Sequence, residues 1–168
     1  MTSETYQAIG GLGASLTRQI SSVTVPGAVD GWLALHERFG RLALVDVLAE
    51  AIRLADEGYA ASPGLASGAH LVAAVLDNTD IPGDLSAGQV VQRPGSARAL
   101  RAIVDQGRVG FYGGEFGEGL LALGDRLTGD APAEFTASDL DQPIAHWVDP
   151  VRAEAFGHVL WTTPPSSQ

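Results

Sequence analysis

The chain contains no cysteine and no lysine. Without cysteine there is no disulfide, no thiolate nucleophile and no thiolate metal site. Without lysine, all ten cationic residues are arginines scattered singly along the chain, so no basic patch offers itself to nucleic acid or to an anionic membrane surface. No apolar run approaches the roughly 20 residues that span a bilayer. The opening Met1-Thr-Ser-Glu-Thr-Tyr6 has neither the basic nor the apolar region of a signal peptide, so the chain as written is expected in the cytoplasm. What is present is apolar and acidic: 168 residues, 45% of them hydrophobic, with a net charge of -10. That suffices for one domain with a real core, which the acidic excess keeps soluble.

Residues 1–22 read as a flexible lead-in, because Gly10, Gly11 and Gly13 interrupt any period. Their Gly-Gly-Leu-Gly lacks the preceding strand and following Lys-Ser/Thr of a phosphate loop. Residues 23–168 hold the structured part. Pro26 is expected at the first position of a helix, with Val29, Trp32, Leu33, His36 and Phe39 on one face and Gly40 at its end. Gly27 and Gly31 lie four apart, which predicts a neighbouring element close to Gly31, while Asp30 falls on the polar side of the same turn. His36 has no second ligand at metal spacing and reads as a structural histidine. Further helices are expected over 44–57, closed by Gly58, from Ser62-Pro63 toward Asp77, over 96–106, stopped by Gly107, and more weakly over 119–127. Residues 78–92, rich in Gly, Pro, Asp and Ser, read as a loop.

The period then changes. Thr136-Ala-Ser-Asp139 resembles a capping box that opens one helical turn, ended by Pro143. Val151 to Phe156 and Val159 to Thr163 read as two strands of a hairpin joined by Gly157-His158. The fold class is therefore α+β, mainly helical and ending in a β-hairpin. An isolated ribbon is marginal in water and exposes two edges, so the sequence looks cut. Trp32, Trp147 and Trp161 are expected as core anchors. Ser138, His158 and Asp149 could be assembled into a triad, but no nucleophile elbow accompanies them. Asp77, Asp80 and Asp84 hint at a calcium loop with the wrong spacing and an intruding Pro82.

Taken in order, several segments resemble the gamma-glutamyltransferases, also called gamma-glutamyltranspeptidases. Val25-Pro-Gly-Ala-Val-Asp-Gly-Trp32, followed by Phe39-Gly40, is similar to that family's Val-Pro-Gly segment and the helix after it. Ala51-Ile-Arg-Leu-Ala-Asp-Glu-Gly-Tyr59 matches a second run, with Glu50 where proline is usual. Gln92-Arg-Pro94 through Leu100, Gly107 and Phe111-Tyr112-x-Gly114 keep the family's order, with Ser96 in place of a leucine. Asp139-Leu140, Trp147, Pro150 and Trp161-Thr-Thr-Pro-Pro-Ser-Ser167 continue it, Gln168 standing where Gly-Gly is expected.

The resemblance implies part of an N-terminal-nucleophile hydrolase, a four-layer αββα sandwich made by a precursor that cleaves itself into large and small subunits. The freed N-terminal threonine of the small subunit attacks the γ-glutamyl carbonyl of glutathione or a similar donor, and water or an amino acid takes the acyl group. This chain then covers an internal part of the large subunit. Its missing partner is the small catalytic subunit or a full-length homologue. No residue here matches a catalytic or donor-binding motif, and no cofactor or metal is expected. Thr162 and Thr163 precede Pro164-Pro165 without a Ser-Gly context and do not read as the nucleophile. Intact members of the family are often secreted or periplasmic. The alternatives are a non-catalytic remnant and a small-molecule binding module, for which the sequence shows no convergent polar set.

Overall fold

The computed structural model describes residues 23–75, 80–128 and 135–164. The expected lead-in and Asp77 lie outside them. The element order is α1 (Ala28–Phe39), α2 (Leu44–Glu57), β1 (Tyr59–Ala60), α3 (Pro63–Val75), β2 (Val90–Val91), α4 (Pro94–Tyr112), α5 (Glu115–Thr128), α6 (Ala137–Asp141), β3 (Val151–Ala155) and β4 (His158–Thr162).

Helix α4 is the axle, against which α1, α2 and α5 all pack. Its apolar positions Ile103, Phe111 and Tyr112 are buried with Val29 of α1 and Leu140 of α6, and Leu33, Leu44, Leu48, Leu100, Phe116 and Leu120 close around them. Each such side chain taken fully from water contributes about 1.5–3 kcal/mol, so this cluster holds the helical layer together. The helix is not continuous. Gly107 sits at φ 58°, ψ -134°, breaking α4 where the sequence placed a stop, but the chain resumes helical geometry at once and runs on to Tyr112. Beyond the break, Phe111 and Tyr112 are buried in the core.

The 78–92 loop carries more structure than its composition promised. Gly58 leaves α2 at φ 94°, a backbone that favours glycine, and turns the chain into β1, which pairs antiparallel with β2 (Tyr59 with Val91, Ala60 with Val90). Ile81, Leu85 and Val91 are buried with Ala61 and Ala69 in a second cluster under α3. Ser62 caps α3, its hydroxyl oxygen accepting the Leu65 N–H at 3.1 Å. Thr136 and Asp139 close their expected box, the carboxylate accepting both the Thr136 N–H at 2.8 Å and its hydroxyl at 2.6 Å. The terminal hairpin forms with Val151 opposite Thr162 and Ala155 opposite His158. Its turn is Phe156-Gly157, one residue earlier than the sequence suggested, with both at positive φ (54° and 78°). That geometry suits the right-handed twist of the two strands.

Four expectations fail, three of them in the α1 region. The helix starts at Ala28 with Gly27 as its N-cap, so Pro26 lies outside it. Nothing approaches a Cβ built on Gly31 within 4 Å, whereas one on Gly27 would sit 3.3 Å from Ile144 Cδ1, so the close approach is at the other glycine. Asp30 is buried, at 6% exposure, rather than on a polar face. The tryptophans are not core anchors: Trp32, Trp147 and Trp161 are 52%, 53% and 61% exposed. A 3.6-residue period records only that one face is apolar. It cannot show that a later segment of chain covers the opposite side.

Candidate functional site

The most strongly built polar arrangement gathers residues from three distant stretches of the chain around Asp30. The Ile144 N–H donates to Asp30 Oδ2 at 2.9 Å. Arg108 Nε stands 3.0 Å from Asp30 Oδ1. Its N–H is not aimed along that line and makes no hydrogen bond, so the contact is an ion pair held by charge. Arg108 Nη2 donates to the Gln142 carbonyl at 2.6 Å, and the guanidinium lies over the Tyr112 ring, 4.5 Å from its centre. The Tyr112 hydroxyl in turn donates to the Pro26 carbonyl at 2.5 Å. Burial, and then the negative charge of Asp30, raises the Tyr112 pKa above its ordinary value, so the phenol stays a neutral donor at physiological pH. The Gly107 break turns Arg108 and Tyr112 inward together. The arrangement has a charged pair and a phenol but no nucleophile, and its polar atoms are spent on one another. It is built to hold chain segments.

Beside it lies an open cleft of about 570 Å³ with walls from Val29, Trp32, Leu100, Ile103, Phe111 and Phe116, and with Asp80, Arg93 and Ser96 at its polar end. Arg93 Nε is 3.5 Å from Asp80 Oδ2. The size falls in the range of small-molecule sites, but the polar groups sit at one end and do not converge on the walls.

The residues singled out from sequence are scattered. The His36 imidazole donates from Nε2 to the Leu42 carbonyl at 2.9 Å and ties down the turn after α1, as a structural histidine would. Ser138 bonds to Thr136 in the α6 cap, His158 begins β4, Asp149 lies in the stretch before β3, and no hydrogen bond joins the three. Asp80 is paired to Arg93 and Asp84 is exposed, and no group of three His, Cys, Asp or Glu among the described residues is placed to hold a metal. Thr162 ends β4 and Thr163 follows it, both exposed. No helix among the described residues is long and apolar enough to cross a membrane. Sequence reasoning missed the Asp30 arrangement. Local pattern offered only an acidic residue in the first turn of an apolar helix and an arginine directly after the helix-breaking Gly107, with nothing to pair them.

A helical layer folded on one axle helix, followed by a two-stranded ribbon, makes an α+β fragment, and comparison with solved structures places it in the sandwich of the N-terminal-nucleophile hydrolases. The gamma-glutamyltranspeptidase solved from Pseudomonas nitroreducens in complex with L-DON superposes with a TM-score of 0.77 at 28% identity, covering 99% of this chain and 50% of that one. The family model described as gamma-glutamyltranspeptidase matches residues 1–168, and the chain belongs to that family. Among curated relatives, the glutathione hydrolase-like YwrD proenzyme of Bacillus subtilis (strain 168) is 26% identical over 97% of this chain and 34% of its own length. The glutathione hydrolase proenzyme of Pseudomonas aeruginosa is 30% identical over 85% of this chain and 26% of its own length. The chain thus spans about a third or less of these relatives.

Proposed function

We propose that this chain supplies the helical layer and one sheet ribbon of a gamma-glutamyltransferase, and that the chemistry belongs to a partner outside it. The reaction is gamma-glutamyl transfer from, or hydrolysis of, glutathione-like donors, as the names of the relatives suggest. The nucleophile is then an N-terminal threonine on the missing small subunit, with its own α-amino group as base. Oriented backbone donors would hold the oxyanion there. On this reading residues 23–168 are a partial large-subunit region with no catalytic residue of its own.

One observation carries the reading: the chain matches the family along its whole length, yet among the described residues its β3–β4 ribbon has no other element packed extensively on it. Val151, Val159, Leu160 and Trp161 stand about half exposed on its two faces. A lone two-stranded ribbon with free edges is marginally stable, so it calls for further strands and for cover. The test is co-expression with the remaining region of the Pseudomonas aeruginosa relative. Co-purification with this chain, lost on Leu160→Asp, is the expected result. A chain that stays alone, with hairpin amides as protected as those of α4, would count against it.

A further inference from the structure

The stretch between α6 and β3 has no regular hydrogen bonding, yet it is held at two points along α1. At its leading end Ile144 donates to buried Asp30, and its side chain covers Gly27. Three residues on, the Trp147 ring meets Phe39 edge-on at 5.6 Å between centres and carries the Arg38 guanidinium 4.2 Å above it. Residues 30 and 38 are about 12 Å apart along a helix. Three residues of chain span at most about 10–11 Å. The stretch therefore runs in the same direction as α1, with the side chains of Arg38, Phe39 and Trp147 making up the difference. Arg108 adds a third hold through the Gln142 carbonyl. Three residues after Trp147 the chain reaches Pro150, and the hairpin begins at Val151.

We propose that residues 142–148 are a strap that presents the hairpin in one orientation to the sheet it joins, and that Asp30 and Arg108 are the positioning residues that hold its leading end. That purpose rests on the reading of the hairpin given above, but the strap is testable in this chain without a partner. A ribbon presented in a fixed direction loses less freedom on docking than one swinging on a loose tether. The charge on Asp30 does specific work here. One oxygen faces a donor from the strap and the other faces Arg108, which carries the strap's next hold. An amide of the same shape can satisfy only one of the two.

Hydrogen exchange read by NMR on the full chain tests this. In the parent, the Ile144 amide should exchange more slowly than those of Ala145 and His146, which donate to no described acceptor. In Asp30→Asn it should exchange about ten- to a hundredfold faster, the loss expected of one charge-assisted hydrogen bond. The Trp147 indole resonance should move with it, while Leu48 and Ile52 of α2 change less than threefold. If Asp30→Asn does not fold, Arg108→Lys is read the same way, since an ammonium cannot hold Gln142, Asp30 and the Tyr112 face at once. An unprotected Ile144 in the parent overturns the proposal and decides the matter even if neither variant folds. So does a variant that leaves Ile144 and Trp147 unchanged, or one that speeds exchange equally throughout the chain. The strap can fail in this way while the chain still pairs with a partner, and it can stand while no partner binds.

Discussion

Asp30 and Gly31 are neighbours with opposite duties. Removing the carboxylate leaves the Arg108 guanidinium, the Ile144 N–H and the charge near Tyr112 without their counterpart. Breaking a buried pair costs about 3–5 kcal/mol, and because Arg108 is partly open to solvent, Asp30→Ala is expected near the lower end, at about 2–4 kcal/mol. Gly31 is inside α1 with open space around it, so Gly31→Ala should stabilise by about 0.5–1 kcal/mol through helix propensity alone. Thermal midpoints of the two variants check both numbers, and a midpoint raised by Asp30→Ala or lowered by Gly31→Ala would show the geometry to be wrong. The sequence argues for the reverse assignment. Glycines at a spacing of four do mark close approach, and one of the pair, Gly27, makes it, but spacing does not say which. The duty of Asp30 is set by Arg108 and Ile144, 78 and 114 residues further along the chain, and no local pattern encodes it.

Among the elements, those with local causes were legible. α2 runs from Leu44 to Glu57 as its apolar stripe and Gly58 indicate, and the Thr136 box opens α6 as its spacing requires. β1 and β2 were not, because two-residue strands carry no period and their pairing depends on Gly58 turning the chain toward residues 90–91. The cleft between α1, α4 and α5 was also illegible, since its walls come together only when the three helices pack. The α6 cap makes a pH prediction. The hydrogen bonds from Thr136 hold the Asp139 pKa below its ordinary value. A carboxylate whose folded pKa is depressed contributes stability above its unfolded value, about 3.9, and loses it as pH falls toward the folded value. Protection of the Asp139 and Leu140 amides should therefore weaken below about pH 4 in the parent. In Asp139→Asn it should be weaker at pH 7 and nearly flat across the same range. A parent profile as flat as the variant's would remove the cap from the account.

At the scale of the whole molecule, a core closed around α4 coexists with many apolar side chains left open to solvent. Trp32, Leu35, Phe39 and Leu42 stand half or more exposed along and just beyond α1, Trp147 and Trp161 do the same after α6, and Phe156 at the hairpin tip is 99% exposed. Exposed apolar groups that adjoin one another mark contact surfaces, and Phe39 and Trp147 do adjoin. The motif order that revealed the family in the sequence reflects these surfaces too: Trp32, Phe39, Trp147 and Trp161 all belong to it, and all are uncovered here. The central claim is that the chain shapes a gamma-glutamyltransferase without performing its chemistry. Release of the anilide from a chromogenic γ-glutamyl anilide tests that claim most directly, with the purified chain alone and with the chain co-expressed beside the remaining regions of a relative, the threonine-led one included. The account predicts no release above buffer from the chain alone and release from the co-expressed assembly. Turnover by the chain alone, abolished by Thr162→Ala or Thr163→Ala, would contradict it.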